Sequence, residues 1–561
     1  MKPTFILTLL VFVTPTMFAQ RIGGEWALMH RVYGEQEIGW FGASVAGPGD
    51  LDGDGVPDFV VGAPTEDSYD GTVYAFSGKT GAMLWEWTFG TGQTGWSVDG
   101  AGDVNGDGRP DVIVGAPDSA KVAVLLHDGT LWWSKDTRFS WFGGSVAGLG
   151  DIDLDGFDDV AVGAHSTNPQ GKQDAGSLFV YSGLDGTRIY RFNGFFAGDR
   201  FGSPVAGAGD VDADGHPDIL VGAPSAHRAG FIKVGEAYVF SGKDGSLLHE
   251  FTGQFSDEFE FGVPLSGVGD INLDGHDDFM ISATRADYGE IDSGSVFLYS
   301  GKDGSLIFRI DGAYRGGHFG SSMDWVRDLN FDNIQDLVLG STESPVDLGR
   351  VEIRSGLDGS LIHTLIGIEV NAGFGQAVAN LGDIEGNGLD AIIAGLRAME
   401  NGDIDTAGAV EIYSPNPFLF ADATELSVSS GQSIQIQMSF PDSEANTKYA
   451  LLLSGAGTGP TTIAGLEVPL GQNLLLSQML TGWAPFNLHG AFGTLDVNAQ
   501  ATATLDSDPT MAGLVGNTFY MAAVTYDIPP SIASGSNSYT GIGTALAGRR
   551  TSIAWPIRIT Q

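Results

Sequence analysis

Three observations predict an all-β chain, a seven-bladed β-propeller followed by a smaller β-sandwich domain. One block of fixed length recurs seven times, its segments alternate like strands with no helical period, and the composition changes after Pro417. An acidic loop opens at Asp50, Asp103, Asp151, Asp210, Asp270, Asp328 and Asp383, at intervals of 48 to 60 residues. Nine residues ahead of it stands Phe41, Phe142, Phe201, Phe261, Phe319 or Phe374, each followed by glycine, with Thr94-Gly95 in the second copy. Twelve residues after its first aspartate comes Gly62, Gly115, Gly163, Gly222, Gly340 or Gly395, with Ser282 in the fifth copy. Length varies only outside this block, as it does when fixed strands carry variable loops.

Each copy reads strand, acidic loop, strand, loop, strand, turn, strand. In the fourth, residues 203–209 run into the loop, 219–221 leave it, and 237–241 and 247–251 follow. Ser-Gly-x-x-Gly turns at 241–245, 300–304 and 355–359 put glycine where a tight hairpin needs positive φ. One four-stranded meander cannot bury both faces, whereas a closed ring of them can. The seventh copy stops after its third strand, where Pro415 and Pro417 break the pattern, and residues 26–34 form an orphan strand ahead of the first copy. The propeller is therefore placed at 20–415, with strand 26–34 completing blade seven.

Residues 1–19 read as a signal peptide: a charged start at Lys2, an apolar run over 5–13 and a small-residue stretch ending at Ala19. That run is too short to cross a bilayer, and no later segment approaches the roughly 20 apolar residues a spanning helix needs. The expectation is an exported chain with no membrane span, secreted, on the cell surface or in the periplasm, acting as a monomer. The absence of cysteine leaves no disulfide, thiol nucleophile or thiolate metal site. With 27 basic against 70 acidic residues, a net charge of -43 repels phosphate backbones and anionic membranes, which argues against nucleic acid as a partner.

The acidic residues are not scattered. The fourth loop reads Asp210-Val-Asp212-Ala-Asp214-Gly215-His216-Pro217-Asp218, with side-chain oxygens at positions 1, 3, 5 and 9 and a backbone carbonyl at 7. Such a set suits a hard cation with six to eight oxygen ligands, and calcium fits best. Glycine at position 6, replaced by Asn333 in the sixth loop, permits the left-handed turn that points the ligands inward. An EF-hand is excluded because position 12 falls on Val61, Val114, Val162, Val221, Ile281 or Leu339 within a strand, not on glutamate between helices.

Phe-Gly, then Asp-x-Asp/Asn-x-Asp-Gly-x-x-Asp, then glycine usually followed by Ala and often by Pro, a pattern traced with departures through seven copies, resembles the propeller of integrin α subunits and of bacterial FG-GAP proteins, over residues 26 to 415. The resemblance implies calcium in about six loops. Its side-chain ligands would be Asp50, Asp52, Asp54 and Asp58; Asp103, Asn105, Asp107 and Asp111; and Asp151, Asp153, Asp155 and Asp159. The set continues with Asp210, Asp212, Asp214 and Asp218; Asp270, Asn272, Asp274 and Asp278; and Asp328, Asn330, Asp332 and Asp336. The carbonyls of Val56, Arg109, Phe157, His216, His276 and Ile334 would complete the six sites. With Glu385 at position 3, Asn387 at 5 and Ala391 at 9, the seventh loop is degenerate. The turns at 77–81 and 241–245 also resemble those of quinone-dependent propeller enzymes, a reading that the acidic loops oppose.

Residues 418–561 are poor in charge and rich in Ser, Thr, Gly, Ala and Leu, and are read as a β-sandwich-like domain. Ile434, Ile436, Met438 and Phe440 alternate with polar residues there, and 449–453, 499–505, 519–526 and 552–559 are further strand candidates. No catalytic motif stands out: the ten histidines are scattered, and Ser44, Ser97, Ser145, Ser203 and Ser321 recur with the repeat as structural residues. The function expected is non-enzymatic adhesion or ligand binding to a protein or glycan partner. Its alternatives are a structural surface protein and, more remotely, an enzyme acting on polysaccharide or using a quinone cofactor. In an up-and-down blade the variable loops lie opposite the acidic loops. Their aromatic and arginine residues, Arg138, Phe195, Phe196, Arg200, Phe255, Tyr314 and Arg315, are the candidate ligand contacts.

Overall fold

The computed structural model describes residues 25–227, 234–253, 258–330, 332–342, 348–401 and 406–416, together with shorter segments between 419 and 560. Two compact units make up the chain, one spanning Gly24–Phe420 and one containing Ala421–Gln561. Among the described residues no helix is long and apolar enough to cross a membrane.

The first unit is the seven-bladed β-propeller, a set of seven four-stranded antiparallel sheets. Six are consecutive meanders; in blade four Val205–Gly209, Asp218–Ala223, Glu236–Phe240 and Leu247–Thr252 lie side by side in that order. The second strands are buried along their repeat core, as in Asp58–Ala63, Asp159–Ala164 and Asp218–Ala223, because other blades cover both faces of the sheet. Apolar layers fill the space between blades. Val60, Val73 and Ala75 of blade one pack with Val112, Val114 and Leu125 of blade two, and Phe59, Val61 and Phe76 pack with Leu381, Ile393 and Ile412 of blade seven.

The fixed block owes its length to one contact repeated around the ring. A Cβ on Gly62, Gly115, Gly163 or Gly340 would overlap the carbonyl oxygen of Gly95, Gly143, Gly202 or Gly375, the glycine that follows the aromatic position in the next blade. On Gly395 it would overlap the carbonyl of Gly42, so the seventh blade meets the first in the same way. The phenylalanines at the aromatic position, Phe41, Phe142, Phe201, Phe261, Phe319 and Phe374, are all buried. Ser44, Ser97 and Ser322 donate to the Gly95, Gly143 and Gly375 carbonyls at 2.8, 2.9 and 2.8 Å. In blade six this role falls to Ser322, and the hydroxyl of its neighbour Ser321 is buried without a partner.

Blade seven takes Val378–Gly382, Ala391–Leu396 and Ala409–Asn416 from the end of the propeller and Glu25–Tyr33 from its beginning. The register runs from Glu25 opposite Asn416 to Tyr33 opposite Ala409, with a bulge between Leu28 and His30. Arg31 Nε donates to Glu411 Oε1 at 2.7 Å and the Tyr413 hydroxyl to Glu411 Oε2 at 2.6 Å, so the buried Glu411 carboxylate is satisfied from both strands. His30 Nε2 lies 2.9 Å from the Gly78 carbonyl of blade one, and Trp26 stacks on His363 of blade six at 5.8 Å. Fourth-strand side chains bridge in this way elsewhere too. Trp85 Nε1 donates to His127 O at 2.9 Å, Trp133 Nε1 to Gly183 O at 2.6 Å and the Tyr190 hydroxyl to Lys243 O at 2.8 Å.

Strands are also the main element of the second unit among its described residues. Ser433–Ser439 pairs antiparallel with Gln500–Asp506, and Ile434, Ile436, Met438 and Phe440 are buried, as their alternation requires. A second sheet pairs Lys448–Ser454 with Thr518–Asp527, which in turn pairs Trp555–Thr560. Residues 552–554 of the last strand candidate lie outside the described residues.

Candidate metal centres

Each acidic loop winds around its own first residue. Asp50 accepts the backbone N–H groups of Asp54 at 3.1 Å and Gly55 at 2.8 Å, and Asp210 those of Asp214 and Gly215, both at 2.9 Å. Asp328 holds Asp332 at 3.1 Å and Asn333 at 2.7 Å. Position 6 is left-handed in each case, with φ of 84° at Gly55, 90° at Gly215 and 70° at Asn333. Position 4 is left-handed as well, and there Leu154, Ala213 and Leu273 adopt φ of 58° to 59° without being glycine. Side chains at that position carry a cost of roughly 1–2 kcal/mol each, which the amide hydrogen bonds of the loop offset.

The ninth residue does more than the spacing suggested. Its Oδ2 accepts the amide of position 2, as Asp58 does from Leu51 at 2.8 Å, Asp159 from Ile152 at 3.0 Å and Asp218 from Val211 at 2.8 Å. Its Oδ1 accepts an amide from the turn between the third and fourth strands: Gly78 for Asp58 and Gly242 for Asp218 at 2.9 Å, and Gly183 for Asp159 at 3.1 Å. Asp111, Asp278 and Asp336 do the same with His127 at 2.9 Å, Gly301 at 2.9 Å and Gly356 at 3.3 Å. Burial pushes the carboxyls of Asp58 and Asp278 up to about 6 and those of Asp111, Asp159 and Asp218 up to about 7, against the pull of these amides. That of Asp336 rises for the same reason. A cation beside them would relieve the cost of holding these charges out of water.

Three loops gather their carboxylates into a triad: Asp50, Asp52 and Asp58; Asp151, Asp153 and Asp159; and Asp210, Asp212 and Asp218. In each, one oxygen per residue lies within 4.8 Å of the others. This is a hard oxygen set of the kind calcium takes. In the second, fifth and sixth loops position 3 is an amide. Asn105 Nδ2 donates to Asp107 at 2.9 Å, and those of Asn272 and Asn330 donate to Asp278 and Asp336 at 3.3 Å. Asp103 and Asp270 cap their loops as Asp50 does.

Position 5 stands outside the triads and faces the neighbouring turn. Asp54 pairs with Lys79 at 3.3 Å and Asp214 with Lys243 at 3.4 Å, while Asp274 and Asp332 accept Ser300 and Ser355 hydroxyls at 3.3 and 3.1 Å. Asp155 accepts the amide of Phe157 at 3.0 Å.

Position 7, expected to matter through its carbonyl, uses its side chain to reach the loop of the preceding blade. His216 Nδ1 donates to Ile152 O at 2.7 Å and His276 Nδ1 to Val211 O at 2.8 Å, and Arg109 lies 3.4 Å from Leu51 O. Val56 packs with Ile384 of the seventh loop and Ile334 with Ile271 of the fifth. In the seventh loop Asp383 still caps Asn387 and Gly388, at 3.0 and 2.7 Å, although Ala391 removes the ninth carboxylate.

The FG-GAP-like repeat family matches residues 50–114 and 103–162, and the FG-GAP repeat family matches 201–239. FG-GAP repeats are thus found in blades one to four. The chain is similar to integrin alpha-V of Gallus gallus, 34% identical over 263 residues, which is 44% of this chain and 20% of that protein. Integrin alpha pat-2 of Caenorhabditis elegans is 31% identical over 292 residues, 48% of this chain and 20% of its own. Integrin alpha-5 of Xenopus laevis is 30% identical over 187 residues, 31% of this chain and 18% of its own. The chain thus spans about a fifth of the length of these curated relatives.

On the face of the propeller opposite the acidic loops, the candidate ligand contacts are spread over several blades. Arg138, Arg200 and Arg315 are exposed. Phe195 is 42% exposed and Phe196 56%, and Phe195 leans on Tyr238 at 5.3 Å. Tyr314 lies under the Arg350 guanidinium at 4.1 Å. Phe255 lies outside the described residues.

Proposed function

We propose that this chain is an exported, calcium-stabilised propeller that binds a protein or glycan ligand in adhesion and carries out no catalysis. The observation that carries the reading is the oxygen triad of the first, third and fourth loops, set in a loop framework that six blades share. Calcium in those loops would fix the acidic face, which leaves the opposite face, with its variable loops, to meet the partner. The integrin relatives support a ligand-binding role for a propeller of this kind. Calcium titration by calorimetry, paired with elemental analysis of the dialysed protein, tests the metal half of the proposal. Absence of both heat and bound metal at millimolar calcium would overturn it.

A further inference from the structure

The residue just before the aromatic-glycine pair is left-handed in every blade. Trp40, Gln93, Trp141, Arg200, Glu260 and His318 have φ between 47° and 63°, and only the seventh copy uses glycine, Gly373, at 77°. The backbone is thus constant where the side chain changes from blade to blade. Large side chains are kept in a conformation that glycine would adopt without strain, a pattern associated with functional surfaces. These residues begin the inner strands on the face opposite the acidic loops.

Around Trp141, blades two and three carry a continuous aromatic group on this face. Trp96 and Trp141 meet edge to face at 5.4 Å, and Trp141 lies against His165 at 5.0 Å. All three rings are partly exposed, and none of their ring nitrogens has a hydrogen-bond partner among the described residues. Gln93, whose carbonyl accepts the Trp96 amide at 3.1 Å, has a buried Oε1 with no partner. Burial and the nearby Arg200 charge hold the His165 imidazole down to about 4, so it is neutral at physiological pH.

We infer that Trp96, Trp141 and His165, with Gln93 and Arg200 beside them, form a carbohydrate-binding subsite. A pyranose offers an apolar C–H face to stack on indole and a rim of hydroxyls for unpaired indole N–H, imidazole and amide groups. Arg200 disfavours a cationic ligand in the same place, and the net charge of -43 disfavours a nucleic acid. This inference rests on the ligand-binding reading above and narrows it to one partner class and one sector of the ring.

The test is calorimetry and saturation-transfer NMR on the full, calcium-loaded chain with cellohexaose, xylohexaose, chitohexaose and a galacturonate hexamer. At least one should bind. Trp141→Gly should weaken that binding about tenfold or more, while its melting temperature stays the same or rises, because glycine suits the left-handed backbone. Trp141→Phe, which keeps an aromatic face, should stay within about threefold of the parent. Trp96→Ala should act in the same direction as Trp141→Gly. The inference is overturned if none of the four saccharides binds at millimolar concentration, or if Trp96→Ala and Trp141→Gly bind like the parent. Normal calcium binding in the same preparation would then show that the metal half of the proposed function survives the failure of the subsite.

Discussion

Asp58 Oδ1 accepts the backbone N–H of Gly78 at 2.9 Å, across 20 residues of chain, while its Oδ2 holds Leu51 at 2.8 Å. One buried carboxylate therefore joins the start of the acidic loop to the hairpin between the outer strands. Six blades repeat the arrangement, and blade seven lacks it because Ala391 replaces the aspartate. The ninth position is thus a clamp within the blade before it is a ligand to anything.

The clamp separates two kinds of aspartate that the repeat pattern treats alike. Asp218→Ala strands the amides of Val211 and Gly242 in a buried setting, at about 1–3 kcal/mol each. Asp214→Ala removes a partly exposed group paired with Lys243, worth about 1 kcal/mol or less. Urea unfolding in chelator should therefore show the larger loss for Asp218→Ala by a clear margin. Equal losses would count against the clamp.

Calcium bound as proposed would add to this framework through linkage. An ion that binds only the folded state stabilises it by RT ln(1 + [L]/Kd), about 1.4 kcal/mol per site at tenfold excess over Kd. Extracellular calcium modules often have Kd of roughly 0.1–1 mM, so the melting temperature should rise through millimolar calcium and fall in chelator. Elemental analysis should approach about six ions per chain, the seventh loop remaining empty. A melting curve indifferent to both treatments refutes calcium as a stabilising ligand.

The block itself was legible in the sequence because its register is fixed by one contact, the glycine of one blade against the carbonyl of the next. Any insertion between Phe41 and Gly62 would break it, so the spacing survives intact. Contacts between blades were not legible. His216 reaches Ile152 across 64 residues, and no local pattern gives that side chain a role beyond the carbonyl its loop position suggested. The left-handed backbone at Leu154, Ala213 and Leu273 was hidden for a related reason, since no glycine marks it. Trp96, Trp141 and His165 belong to different parts of their repeats and converge only when blades two and three stand side by side. The Ser321 assignment missed by one residue, because two serines adjoin and only Ser322 falls in the repeating register.

Arg31 and Glu411 tie the closing strand to the third strand of blade seven. Arg31→Met leaves the Glu411 carboxylate buried with one partner fewer, and breaking a buried pair from one side costs about 3–5 kcal/mol. Exposure of part of the Arg31 side chain moves the expectation toward the lower end of that range. Deleting residues 20–36 goes further, since it strips the outer edge from Ala409–Asn416 and leaves an unpaired strand open to other chains. Thermal unfolding and light scattering read the two outcomes. A truncated chain that remains monomeric with unchanged stability would show that the strand is dispensable.

A buried carboxyl outside the acidic loops gives the fold a predictable pH dependence. Glu66 accepts the Tyr74 hydroxyl at 2.7 Å, and burial pushes it up to about 7 from an ordinary value of 4.5, with the Tyr74 bond opposing the rise. Between those two values the folded chain keeps a proton that the unfolded chain has lost. The contribution of Glu66 to stability is therefore fully present below about pH 4.5 and declines as pH rises through 7, to a limit of about 3 kcal/mol. Glu66→Gln retains an acceptor for Tyr74 and removes the charge. The variant should match the parent near pH 4.5 and exceed it in stability by a widening margin toward pH 8, up to that limit. Unfolding of both proteins in denaturant across this range, with chelator present so that the acidic loops contribute equally, gives the difference directly. A gap that stays constant with pH would mean that Glu66 ionises as readily in the fold as in water.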